Sequence, residues 1–103
     1  MQQKFKDWLI QYAESKDYDT DDNSLMEIIT EADEVERETY SSSRWYDTQT
    51  VVVKIEDKFV SYIDYHITGD NSMFDMGLEY NLADCEEVEP YETIVTKYRY
   101  KNQ

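Results

Sequence analysis

The spacing of apolar residues changes along the chain, and that change limits the folds open to it. Phe5, Trp8, Leu9 and Tyr12 fall at i, i+3, i+4 and i+7, which puts them on one face of a helix over residues 4–15. Leu25, Ile28, Ile29, Ala32 and Val35 repeat that spacing. Ser24 followed by Glu27 reads as a capping box, so a second helix is expected to start there and fade near Glu38. From residue 51 the period is two. Val51, Val53 and Ile55 alternate with Val52, Lys54 and Glu56, and Phe59, Ser61, Ile63, Tyr65 and Ile67 alternate with Val60, Tyr62, Asp64, His66 and Thr68. β-Branched and aromatic residues dominate both runs, so they read as strands of a hairpin turning at Glu56-Asp57-Lys58.

Residues 91–100 are expected to add a third strand. Ile94, Thr96, Tyr98 and Tyr100 face one way, Thr93, Val95 and Lys97 the other, and Pro90 stands where a strand can start. Residues 37–46 are a candidate edge strand. Met73, Phe74, Met76 and Leu78 are read as one helical turn stopped by Gly77, plugging the core beneath a loop. The order helix, helix, antiparallel meander gives an α+β fold, with two N-terminal helices packed on a three- to four-stranded antiparallel sheet. At 103 residues the chain is read as a single domain, 1–103, with a small core.

Charge narrows the function. The formal net charge is -14, and it is clustered. Residues 17–38 hold ten acids against Arg37, and residues 70–92 hold eight acids with no Lys or Arg. Such a surface repels nucleic acid and anionic membranes, so direct binding to either is not expected. Fifteen per cent aromatic content, including 10 Tyr, argues against a disordered acidic tail. No apolar run approaches the ~18 residues of a membrane span. A single Cys and the lack of a signal-like apolar stretch point to a cytoplasmic setting.

Three clusters invite a chemical reading. Asp17, Asp19 and Asp21 have the spacing that opens an EF-hand loop, but Asp22 stands where the turn wants Gly and Ile28 where a bidentate Glu is needed. They are read as a solvated loop capping the second helix, and no metal or cofactor is expected. Glu27, Glu31, Glu34 and Glu38 recur at steps of four, three and four, which would line them along one face of that helix, with Asp33 and Glu36 widening the ridge. Asp70, Asp75 and Glu79 open the second acidic block, interleaved with Met and aromatic residues suited to a basic, partly apolar pocket. His66 and Cys85 are each the only residue of their kind, and no nucleophile–base motif or Gly-rich phosphate loop is visible, so no catalytic residue is assigned.

In size and charge, though in no motif, the chain resembles the small acidic anti-defence proteins of phages and mobile elements, of the DNA-mimic anti-restriction and anti-CRISPR type. That resemblance implies a mode: carboxylates stand where phosphates would, in the basic channel of a nucleic-acid-binding protein such as a nuclease or CRISPR effector. The expected partner-binding residues are Glu27, Glu31, Glu34, Glu38, Asp70, Asp75 and Glu79, on a monomer or dimer. The alternatives are an immunity- or antitoxin-like partner of a basic toxin, or an accessory protein that self-associates through Trp45, Tyr98 and Tyr100.

Overall fold

The computed structural model describes residues 1–69 and 71–101. Helix α1 runs Gln3–Ser15 and α2 runs Asp22–Glu31. Four strands follow: β1 Asp33–Ser42, β2 Tyr46–Ile55, β3 Lys58–Ile67 and the short β4 Glu86–Val88. They form one antiparallel sheet in the order β1-β2-β3-β4. This is the α+β arrangement, with both helices N-terminal to a four-stranded sheet.

The core lies between the helices and one face of β2 and β3. Phe5, Leu9 and Ala13 of α1 and Leu25, Met26 and Ile29 of α2 meet Val51, Val53, Ile55, Val60 and Tyr62. Leu82, in a 3₁₀ turn, and Cys85 close one side of it. The expected hairpin forms, but its first strand starts earlier, at Tyr46, and its turn is tighter: Lys58 belongs to β3 and pairs with Ile55, leaving Glu56-Asp57 as the turn, with Glu56 at a φ of 57°.

Helix α2 differs from expectation at both ends. It starts at Asp22, capped by Asp21, whose carboxylate accepts the Ser24 backbone N–H at 3.3 Å and the Ser24 hydroxyl at 2.6 Å. It ends at Glu31, and Ala32 is already extended at ψ 165°. Residues 33–42 are a strand, not a helical continuation with a later edge strand at 37–46. A helical continuation would have stacked Glu34 and Glu38 on the negative end of the helix. As a strand, the segment bonds its backbone to β2 along nearly its whole length.

The expected strand over 91–100 does not form. β3 takes its second partner from Glu86–Val88 instead, and the pairing stops there because Val88 already faces Phe59, one residue from the start of β3. Residues 91–101 carry no regular structure, and Ile94, Tyr98 and Tyr100 are almost wholly exposed.

The Met73 turn does form. Ser72 and Asp75 cap it reciprocally. Gly77, at φ 70°, closes it by donating to the Phe74 carbonyl while Leu78 donates to that of Met73. It is no core plug, because Phe74 is 91 % exposed and Met73, Met76 and Leu78 are only half-buried. Its two hydrogen-bonded ends hold the turn without burial.

Candidate functional site

The acids of residues 17–38 do not form one cluster: Asp21 caps α2, Asp22 pairs with Lys6 at 3.6 Å, and the rest are spread over several places, of which α2 organises the densest. The chain leaves α1 through Asp17, which adopts a left-handed φ of 60° while the Tyr18 N–H returns to the Ala13 carbonyl at 2.9 Å. That reversal lays the 17–21 loop beside α2. Between them is an open hollow of about 340 Å³ lined by Asp17, Tyr18, Asp19, Ser24, Glu27, Ile28 and Glu31. Four of those seven side chains are carboxylates and none is basic. A second hollow adjoins it through Glu31 and Ile28 and adds Asp33 and Glu56, with Lys54 on its far wall. Asp17, Asp19, Glu27, Glu31, Asp33 and Glu56 are all exposed, so a continuous acidic face runs from the end of α1 across α2 to the hairpin turn. The Lys54 ammonium lies over the Phe59 ring, 5.7 Å from its centroid.

The four-glutamate ridge is not built as expected, because α2 ends before half of it. Glu27 and Glu31 stand on the helix, one turn apart; Glu34 and Glu38 lie in β1. Glu34 is neutralised in place. Its carboxylate accepts from Arg37 Nη2 at 2.7 Å and Nε at 3.1 Å. The Arg37 Nη1 reaches across β2 to Gln49 at 2.6 Å and to Asp64 at 2.9 Å. Tyr80 donates its hydroxyl to the other Asp64 oxygen at 2.8 Å. Burial works to raise the Asp64 pKa, but the hydrogen bonds from Arg37, the Tyr65 N–H and Tyr80 outweigh it and hold the carboxyl below its ordinary value. The Tyr80 hydroxyl is pushed up to about 12, by burial first and by Asp64 second.

Glu38 points elsewhere. With Glu36 it borders a hollow of about 620 Å³ on the sheet's other face, beside Val35, Val52, Phe59 and Tyr91. In the second acidic block, Asp75 is engaged in capping its turn and Glu79 is exposed, and neither lines the α2 hollows. Asp70 lies outside the described residues.

The structure brings Asp17, Asp19 and Asp33 to Glu27 and Glu31, and it adds Glu56. The first three stand in the same acidic run of sequence. Glu56 carries no signal of its own, because only the packing of the hairpin turn against α2 places it there. Asp21 is spent as a cap, and the Ser24 hydrogen bonds hold its carboxyl below the ordinary value. Among the described residues, no group of three or more His, Cys, Asp or Glu could hold a metal ion. His66 is exposed on β3. Cys85 is fully buried with Sγ 3.6 Å from Met26 Sδ, and burial, with Asp84 adding to it, pushes its thiol up to about 12. Among the described residues no helix is long and apolar enough to cross a membrane. Comparison with protein-family models, with curated proteins and with solved structures finds no match.

Proposed function

We propose that this protein is an acidic inhibitor that docks its α2 face into the basic site of a nucleic-acid-binding protein, a nuclease or CRISPR-type effector, and displaces the nucleic acid. One observation carries the reading: the hollow beside α2 holds four exposed carboxylates with no basic side chain among its lining residues. Carboxylates gathered without a counter-cation repel one another, and a partner's Lys and Arg side chains would relieve that repulsion. The net charge of -14 would steer such an encounter and make it salt-sensitive. The loop bearing Asp17 and Asp19 is tied by hydrogen bonds at both ends, so little ordering is needed on docking.

The test is competition. Purified protein is added to a panel including a guide-loaded Cas9 and a type I restriction enzyme, and target-DNA binding is followed at two salt concentrations. Loss of DNA binding that weakens as salt rises, and that is abolished by the double variant E27K/E31K, is the expected result. Inhibition that survives E27K/E31K would sink the α2 face as the contact. A panel in which no member loses DNA binding counts against the reading.

A further inference from the structure

We propose that residues 93–100 of one copy add as a strand to the exposed edge of β1 in a second copy, and that the exchange is reciprocal. β1 is ten residues long, lies at the edge of the sheet, and is exposed throughout. An edge strand presents a row of backbone donors and acceptors that another strand can pair with. Charge decides which strand. β1 carries four acids against Arg37, whereas residues 93–101 hold Lys97, Arg99 and Lys101 and no acid.

The spacing also matches. Glu36 and Glu38 share one face of β1, where they border the same hollow. Lys97 and Arg99 are likewise two residues apart, so in an added strand both would project to one face at the same ~7 Å interval. Ile94, Tyr98 and Tyr100 would take the opposite face. Those three are now 101 %, 92 % and 100 % exposed, an apolar stripe with strand periodicity left in water.

The pairing is between copies because of where the segment goes. Past Pro90, Tyr91 and Thr93 lie over the outer face of their own sheet, on the same hollow as Glu36 and Glu38. To run along its own β1 the chain would then have to turn sharply, and Thr93 to Tyr100 contains no Gly, Pro, Asn or Asp to make that turn. The chain instead extends outward. The radius of gyration is 17.4 Å and the longest dimension 63 Å, against the ~13 Å radius of gyration of a compact domain of this length. Two copies that each give a strand and receive one close a two-fold dimer.

Sedimentation velocity across a hundred-fold range of concentration tests this on the full chain. The expected result is a dimer that dissociates on dilution. K97E/R99E and E36K/E38K should each weaken it by roughly ten-fold or more, since both turn the two facing cross-strand pairs of each exchanged strand repulsive, four pairs per dimer. An equimolar mixture of the two variants should restore it, because each tail then meets an edge of opposite sign. All four residues are exposed, so a single cooperative melting transition for each variant confirms that it folds. A wild-type chain that stays monomeric throughout, a dimer that survives K97E/R99E, or a mixture that fails to reassociate would each overturn the proposal. None of these substitutions touches the α2 hollows, so the outcome is independent of the inhibitor reading.

Discussion

If the carboxylates on α2 are there for a partner, the free protein should be more stable without them. Glu31 is the sharpest case. It is the last residue of α2, at the negative end of the helix dipole, and no basic residue stands in that last turn. Glu27 lies one turn before it, and Asp17 and Asp19 border the same hollow. A charge at a helix end is worth about 0.3–1 kcal/mol, and an i,i+4 like-charge pair costs about 0.2–0.5 kcal/mol. Glu31→Lys reverses both, and it creates the favoured order of Glu before Lys. Exposure pulls the sum toward its lower end, as does Lys54 on the neighbouring hollow. The expected net gain is about 1 kcal/mol. For a domain of this size that raises Tm by roughly 4–8 °C. Melting curves at low salt and near ~1 M salt, where the screening length falls to ~3 Å, should show the gain and then its collapse. A variant that melts no higher than wild type at low salt, or a gain indifferent to salt, would refute the electrostatic argument. The same substitution should weaken inhibition in the competition assay, so stability and activity move in opposite directions.

Other consequences concern the groups the fold has already paired. Arg37→Ala leaves Asp64, whose side chain is only 15 % exposed, without its guanidinium partner; the partly exposed setting sets the loss at about 1–3 kcal/mol in urea unfolding. Because the folded-state pKa of Asp64 is depressed, its contribution is complete above the usual carboxylate value and is lost as pH falls through the depressed one. Asp64→Asn should therefore flatten the acid limb of the stability curve below about pH 4. The alkaline limb has the opposite sign. Tyr80 and Cys85 are raised from 10.0 and 9.0 to about 12, so stability present below their ordinary values is lost as pH climbs toward about 12. Cys85→Ala should remove the part of that loss that begins near 9. At pH 8 a thiol reagent should label native Cys85 far more slowly than the urea-unfolded chain, because the buried thiol is shielded from the reagent and held protonated. Equal rates would mean the thiol is not held as the structure shows.

Much of the fold was legible because the core residues within each element obey one period, helical in α1 and α2 and two in β2 and β3. Phe5 and Leu9 on α1, Leu25 and Ile29 on α2, and Val51 and Val53 on β2 are all buried as their spacing requires. The hairpin was legible for the same reason. The failures fall where the pattern has no core to answer to. Over residues 32–38, Ala32 and Val35 continue the helical spacing while Val35 and Arg37 also fit a strand, and the sequence offers no stop signal such as Gly or Pro. Tertiary contacts made the choice, since only as a strand does Arg37 reach both Asp64 and Gln49. Residues 91–100 failed in the opposite way. Their alternation is correct for a strand, but alternation does not supply an edge to pair with, and within the chain the β3 edge was taken by Glu86–Val88.

The acidic site divides along the same line. Its membership in the 17–38 run was visible as charge density, but which carboxylates stay unpaired was not. Of the four glutamates spaced along the expected ridge, Glu34 is consumed by Arg37, a residue 27 positions from Asp64 in sequence that neutralises two acids at once. Glu38 is carried to the other face of the sheet by the end of α2 at Glu31. What takes their place is Asp17 and Asp19, turned toward α2 by one residue in a left-handed conformation, and Glu56, whose own turn needs the same conformation. Both turns take a left-handed φ that Gly adopts more easily, and both border the same acidic face. Glu56→Gly and Asp17→Gly should therefore relax the backbone, while each removes a carboxylate from the face and weakens the competition described above.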